Sequence, residues 1–539
     1  MRNRPWMMVL GFVLVAVLGY WLARTAATGP EERKPVAEAP VAKPAAIDDP
    51  APKFRRGKRM PSPKGDPAAE MMGAQRGERA LVFTDAEALA EFLRRAGDSI
   101  RILGRLDKLN ALRVGFDDYD DLAYLLDGSE EETMIYPVFD PAPPEGTVQD
   151  GAVGLKNGLL EWLGVNGDNS TWGAGVTIAV LDSGIASHGT FGSDIRQIEL
   201  VEAPADASLL NGHGTAVSSL IIGRDSLTPG VAPGADLISI RIADDTGYSD
   251  SFLLAQGIIA AVDAGAQLIN ISMSSFGDSR LVRSAIDYAG KAGALIIAAA
   301  GNNGVDQVTF PAANEGVVAV GGVDALGNHL DFSNSGAEID LAAPGYDIFA
   351  AWTGGQAVSV SGTSFSTPII TGSIAAIMSE GGRRLLTPSR AYDLLVSRLN
   401  DAGTEGADPQ LGAGMPDIGR VLDRNTPGIY DAAVASTRLV TPSAMTPNGQ
   451  VEVLVQNRGT ETLLNTSVRV VAGGKATTVN ITTLPPNGVR TVRVPLTRGP
   501  KDGLTNLRVE TSVSAGGGVS DRKPANNRRV DTYVASGSQ

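Results

Sequence analysis

VTIAVLD, residues 176–182, is apolar from Ile178 to Leu181 without the alternation of a half-wet strand, and it ends on a carboxylate. A strand that keeps neither face for water belongs in a parallel sheet covered on both sides. Working outward, ADLISIRIA (235–243), AQLINIS (266–272), ALIIAAAG (294–301) and VVAVGG (317–322) repeat the pattern, and helical stretches such as SFLLAQGIIAAVDAG (251–265) stand between them. Residues 150–424 are therefore expected to form an α/β domain with a doubly wound, mostly parallel sheet. In such folds ligands gather at the carboxyl ends of the strands, where Asp182 would lie.

On the N-terminal side, residues 80–140 read as βαββαβ. ALVF (80–83) is a strand, Asp85 opens a helix carrying Leu89, Phe92 and Leu93, and IRIL and ALRVGF are strands. Asp118 opens a second helix, and TMIYPVF closes as a strand. This is a ferredoxin-like α+β pattern shared by many functions. PAPPEG (141–146) breaks regular structure and marks a boundary. Residues 25–79, rich in Pro, Ala, Lys and Glu, read as a disordered linker, and KFRRGKR (53–59) as a solvated basic run within it. Trp6–Ala23 is an uncharged apolar run behind Arg2 and Arg4, about 27 Å long as a helix. Residues 1–24 thus suit a signal anchor, with a cleaved signal peptide as the alternative, and the basic flank puts the rest of the chain outside the cytoplasm.

After Thr426 the texture changes to short alternating segments, among them QVEVLVQN (450–457), SVRVVAGG, ATTVNIT, VRTVRVPL and NLRVETSVSA, which predict a β-sandwich over 426–539. NRGTETLLN and PANNRRVDTYV there resemble bacterial cell-adhesion-related, immunoglobulin-like modules. The resemblance implies a surface or protein partner for the sandwich and brings no catalytic residue.

Chemistry concentrates in three short motifs. SGTSFSTP (361–368) holds five hydroxyls, which suit a helix start equally well. An alcohol becomes a nucleophile only beside a base. With three histidines in the chain, the base search is short. His213 in NGHGTAVSSLIIG stands between glycines at the start of a helix, whereas His188 and His329 occupy loops and read as ordinary surface residues. Asp182, in D-S-G at the end of a buried strand, could orient the imidazole, because a carboxylate buried there unpaired would cost several kcal/mol. Each motif alone is common turn or cap chemistry.

Together, Asp182 in D-S-G, His213 in H-G-T and Ser364 in G-T-S-x-S-x-P, in that order, resemble the subtilisin-like serine endopeptidases. An α/β-hydrolase is the near miss, since Gly362–Ser366 almost makes G-x-S-x-G, but that family places Asp and His after the serine. The resemblance implies Ser364 as nucleophile, His213 as base and Asp182 as its orienting partner. It implies Asn302, in AAAGNNG, as oxyanion donor alongside the Ser364 amide. Peptide would enter as an added strand between Ile271–Ser274 and the stretch around Gly247–Ser249. Ser272, Met273, Ser274 and Ser275 stand where relatives have glycines, and Ile369 where many have histidine. Residues 80–140 then look like the inhibitory propeptide of the family, with self-cleavage between Asp140 and Gly151.

No cysteine is present, so disulfides, thiolate metal sites and a cysteine nucleophile are excluded. A net charge of -14 argues against nucleic-acid binding. No cofactor is required by triad chemistry. Structural calcium occurs in relatives, but no oxygen-ligand loop of recognisable spacing indicates it here. The expected partners are protein or peptide substrates and, through the N-terminal helix, a membrane. The rival readings are a catalytically silent binding or scaffold protein that works through its sandwich, and an esterase.

Overall fold

A computed structural model of the chain describes residues 72–139, 151–192, 195–205, 210–380, 382, 384–440, 442–443, 445–497 and 506–534. The Trp6–Ala23 segment, the linker up to residue 71, PAPPEG and the expected self-cleavage interval from Asp140 to residue 150 lie outside the described residues. Among the described residues no helix is long and apolar enough to cross a membrane.

The N-terminal unit runs β1 (Glu78–Phe83), α1 (Ala86–Ala96), β2 (Arg101–Leu106), β3 (Ala111–Gly115), α2 (Tyr119–Ala123) and β4 (Glu130–Met134). Its antiparallel sheet has the order β2-β3-β1-β4, the ferredoxin-like arrangement. Asp85 opens α1 by accepting from Glu87 N at 3.0 Å and Ala88 N at 2.9 Å. Side chains alternate across the sheet. Leu81, Phe83, Leu112 and Val114 join Leu89 and Phe92 of α1 in one core, while Ala80 and Ala111 face the opposite way. Ordered bonding begins before Ala80, since Gln75 N donates to the Ile135 carbonyl at 2.7 Å.

TMIYPVF is not one strand. β4 stops at Met134, and β5 (Pro137–Phe139) leaves the sheet to pair elsewhere. Proline at 137 has no N–H for a continued ladder. The amide and carbonyl of Tyr136, between the two strands, are taken by Ser251 Oγ at 3.1 Å and Ser251 N at 2.9 Å.

The large sheet begins with β6 (Thr177–Asp182) and continues through β7 (Arg196–Glu199), α3 (His213–Ile222), β8 (Asp236–Arg241), β9 (Tyr248–Asp250), α4 (Ser251–Asp263), β10 (Leu268–Ile271), α5 (Arg280–Lys291), β11 (Leu295–Ala299), β12 (Val317–Val323) and β13 (Leu341–Pro344). Seven strands lie in the order β13-β12-β11-β10-β6-β8-β7, and every pair is parallel. Ile178 and Val180 of β6 enter the core beneath α3 and the helix α6 (Thr363–Ser379), whereas Ala179 and Leu181 enter the core beneath α4 and α5. Both faces are thus covered, which explains the missing alternation. From β6 the chain builds β7 and β8 on one side, then crosses to β10 on the other. That reversal opens a crevice beyond the carboxyl end of β6, where Asp182 stands.

A hairpin of β14 (Ile348–Ala351) and β15 (Ala357–Val360) leads into α6. The C-terminal part comprises β16 (Ala432–Val440), β17 (Gln450–Asn457), β18 (Leu463–Ala472), β19 (Lys475–Leu484), β20 (Val489–Pro495), β21 (Asn506–Ser514) and β22 (Arg528–Val534). Its antiparallel sheets, β16-β17-β20 and β19-β18-β21-β22, enclose one apolar core that includes Val453, Val468 and Val509, making a sandwich.

Candidate active site

Asp182 closes β6, and its carboxylate is met at once by the turn that follows. Oδ1 accepts from Ser183 N at 2.7 Å and from Ser183 Oγ at 3.2 Å. His213 opens α3, where Asn211 Oδ1 takes its backbone N–H at 2.9 Å and fixes the entry of the helix. The ring then meets the carboxylate: Nδ1 lies 2.8 Å from Oδ1 and 3.0 Å from Oδ2 of Asp182, both residues buried. A carboxylate facing Nδ1 holds the proton on that nitrogen and leaves the Nε2 lone pair as the basic site of the neutral imidazole.

Close packing accounts for the glycines beside His213. A Cβ on Gly214 would stand 2.2 Å from the Gly184 carbonyl oxygen, and one on Gly212 would stand 2.3 Å from the Trp352 indole. Thr215 Oγ1 accepts from Ala186 N at 2.9 Å and secures the loop after Asp182. Arg241, beside Asp182 on β8, is buried and donates to the Ser183 carbonyl and, at 3.0 Å, to Asp245 Oδ1.

The segment Ser361–Thr367 carries the five hydroxyls, and four have structural employment. Ser361 Oγ accepts from Asp347 N at 3.0 Å, and Ser366 Oγ donates to the Pro344 carbonyl at 3.1 Å. Thr367 Oγ1 donates to the Thr363 carbonyl at 2.9 Å, and Thr363 Oγ1 to Asn302 Oδ1 at 2.9 Å. Ser364 lies in the first turn of α6, and the ring of its neighbour Phe365 packs on the His213 ring with centroids 5.2 Å apart. The sequence pattern puts Pro368 in the first turn of this helix; because α6 already starts at Thr363, Pro368 sits one turn further in. A proline there cannot donate to the carbonyl of residue 364, and Ser272 Oγ replaces it, donating to the Ser364 carbonyl at 2.8 Å.

Asn302, just past β11, is also buried. Its Oδ1 accepts from Thr363 N at 2.8 Å, which fixes the amide orientation and turns Nδ2 toward Gly362, beside Ser364. Asn303 is exposed. His188 Nε2 meets the Gln356 carbonyl at 3.1 Å. His329 departs from the surface reading, because it is half-buried with Nε2 enclosed, and burial lowers its pKa.

A cleft of about 570 Å3 spans Asp182, His213, Gly247, Met273, Trp352 and Phe365. The chain itself runs beside it. β5 pairs antiparallel with β9, Val138 opposite Ser249, and on its other edge Phe139 exchanges two bonds with Ser274, N to O at 3.0 Å and O to N at 2.8 Å. Met273 and Gly247 line the cleft, and Ser274, next to Met273, pairs with Phe139. Ser272 instead points its hydroxyl inward at Ser364. The supporting roles of Ser183, Asn211, Arg241 and Trp352 were not visible in the sequence; only Asn211, two residues before His213, had a readable cue as a capping asparagine. Among the described residues no group of three His, Asp or Glu is placed to hold a metal ion.

Comparison with known proteins fits this geometry. The profile of the subtilase family matches residues 173–414. The chain is 36% identical over 255 residues to the thermostable alkaline protease of Halalkalibacterium halodurans, spanning 46% of this chain and 68% of that protein. Over 242 residues it is 32% identical to subtilisin DY of Bacillus licheniformis, spanning 44% of this chain and 86% of that one. The chain belongs to the subtilase family. It is a serine endopeptidase, and its parallel sheet is the subtilase sheet. An epidermin leader peptide processing serine protease from Staphylococcus aureus shares the fold, with a TM-score of 0.53 at 19% identity, over 65% of this chain and 99% of that structure. The family match ends at residue 414, so the sandwich β16–β22 lies beyond it.

Proposed function

We propose that this subtilase is an extracytoplasmic endopeptidase that works through Asp182, His213, Ser364 and an acyl-enzyme, and that it is made as a self-inhibited precursor. The triad reading is carried by the 2.8 Å contact of His213 Nδ1 with Asp182, on a ring packed against the residue that follows Ser364. Ser364 Oγ attacks the peptide carbonyl as His213 Nε2 takes its proton. The imidazolium formed is stabilised by Asp182, and the proton passes to the leaving amine. Asn302 Nδ2 and the Ser364 amide donate to the oxyanion. Water, activated by the same nitrogen, then releases the acid product and restores the serine. No metal or cofactor takes part in these steps.

The precursor reading is supported by β5, which adds a strand between β9 and Ser274, where a substrate peptide would pair. A peptide extended in that register meets Met273 and then Ser272, whose hydroxyl abuts Ser364. Residues 80–140 would thus act as the inhibitory propeptide, with self-cleavage between Asp140 and Gly151. Trp6–Ala23 would anchor the enzyme in a membrane, secretion being the alternative, and the sandwich would face a surface or protein partner.

A fluorophosphonate probe should label the processed protein and not Ser364→Ala. Failure to label folded, processed wild type would remove the triad reading. Ser364→Ala, purified alone, should stay uncut between Asp140 and Gly151; cleavage there would remove self-processing and leave the triad reading intact.

A further inference from the structure

Where the peptidase part meets the sandwich, a cavity of about 40 Å3 is lined by Arg398, Arg420, Arg458, Arg522 and Lys523. That is room for about three water-sized atoms. Asp423 and Asp431 are the carboxylates on its wall, and Asp423 answers one of the five cations. Asp423 takes Arg522 at 3.3 Å, and Asp431 takes Asn526 Nδ2 at 2.9 Å. Lys523 Nζ is held 3.3 Å from Asp417. The charges of Arg398, Arg420 and Arg458 are left without a contacting carboxylate among the described residues.

Arg420 is 7% exposed, and all its bonds go to neutral oxygens. Its guanidinium donates to the carbonyls of Arg458, Arg398 and Leu399 at 3.1, 2.8 and 2.7 Å, and to Oδ1 of Asn400 and of Asn487 at 3.0 and 2.7 Å. Burial, with the neighbouring Arg458, pushes its pKa down to about 10. Arg458 donates through Nε to Gln456 Oε1 at 3.0 Å, and its two Nη atoms meet no acceptor among the described residues. Burial lowers its pKa as well. A guanidinium keeps its proton at any ordinary pH, and with Arg420 buried and Arg398 and Arg458 half-buried, three such charges converging on one cavity favour an anion there. Five cations around one small cavity are no surface average in a chain of net charge -14.

We propose that this cavity binds one compact oxyanion of the phosphate or sulfate class, held by Arg458 with Arg398 and Arg420, and that the anion ties the sandwich to the peptidase. The planar fork of Arg458 offers two parallel donors, which suit two oxygens of one tetrahedral group. The cavity takes part of such a group, the rest facing the solvent that reaches Arg522, and excludes a nucleotide or a peptide. Arg398 and Arg420 come from the peptidase part and Arg458 from the loop after β17, so occupancy couples the two.

The test uses the full chain carrying Ser364→Ala, titrated calorimetrically with inorganic phosphate, sulfate and acetate at ionic strength matched with chloride. Phosphate and sulfate should each give saturable one-to-one binding and raise the unfolding midpoint by about 2 °C near saturation. Arg458→Gln should weaken binding at least about tenfold, a loss of one bidentate contact. Arg398→Gln provides the same reading if Arg458→Gln fails to fold. Absence of saturable heat up to about 10 mM phosphate would overturn the proposal. So would an equal midpoint shift in wild type and both variants, which marks a general salt effect, or acetate binding as tightly as phosphate, which marks a carboxylate site.

Discussion

Ser272 and Pro368 show how a departure from regular structure near the nucleophile is compensated. Pro368 removes the helical donor to the Ser364 carbonyl, and Ser272 Oγ restores it. Ser272→Ala should therefore leave a buried carbonyl unpaired and cost about 1–3 kcal/mol in a denaturant titration. Pro368→Ala added to that background returns an N–H to the helix and should recover part of the loss. A double-mutant cycle with no coupling would show that the two residues do not share this acceptor. Asn302 is held by the same segment: its Oδ1 is fixed by the amide and hydroxyl of Thr363, so Nδ2 is aimed before substrate arrives. Asn302→Ala should lower kcat by about 10²- to 10³-fold with KM little changed, the range for one oxyanion donor, to which a subtilisin itself contributed. A matched loss in KM alone would assign Asn302 to substrate binding instead.

At the scale of elements, the N-terminal sheet has two apolar faces with different owners. One is covered by its own helices; Ala80, Leu106 and Ala111 on the other meet α4 and α5. One buried arginine lies at this junction. Arg113 bonds Asp250 Oδ2 at 2.9 Å while Asp250 Oδ1 caps α4 through Phe252 N and Leu253 N at 2.9 and 3.0 Å. Glu78 and Gln75 complete the set at 2.7 and 2.9 Å. Arg113→Met should strand the buried Asp250 and the half-buried Glu78 and weaken docking by about 3–5 kcal/mol. Limited proteolysis of the full chain should then release the N-terminal unit much faster, with the apolar core of the peptidase unaffected; an unchanged release rate would mean that apolar contact alone sets docking. The strands of the large sheet were legible because β6, β8, β10, β11 and β12 are interior and carry near-continuous apolar runs. β7, RQIE, and β13, LAAP, lie at the two edges, too short and too polar or proline-bearing to stand out. TMIYPVF misled because its second half is shaped by pairing with β9, a partner far along the chain. Asp182, His213, Ser364 and Asn302 were legible from their motifs, whereas the hydroxyl of Ser272 and the guanidinium of Arg241 serve the site through contacts that no local pattern records.

At the scale of the whole molecule, the contact between peptidase and sandwich carries a titratable group as well as its basic cavity. Asp401 is buried there. Its amide donates to Gln456 Oε1 of β17 at 3.1 Å, and its Oδ2 accepts from Gly406 N at 2.9 Å. Burial raises its pKa to about 6, with Asp408 and Glu405 adding to the rise and the amides of Gly406 and Ala402 opposing it. An unfolded aspartate loses its proton near pH 4, so between about pH 4 and 6 the folded chain binds a proton that the unfolded chain has released. This contribution to stability is full below that window and is lost as pH rises through it, amounting at most to about 2–3 kcal/mol. Asp401→Asn keeps an oxygen for Gly406 N and removes the titration. The urea midpoint of the full chain should then fall less between pH 4 and 6 than in wild type, and at pH 8 the variant should be the more stable by about 1–3 kcal/mol. Parallel pH profiles for the two proteins would show that Asp401 titrates as an ordinary carboxylate and that this junction contributes no pH dependence of its own.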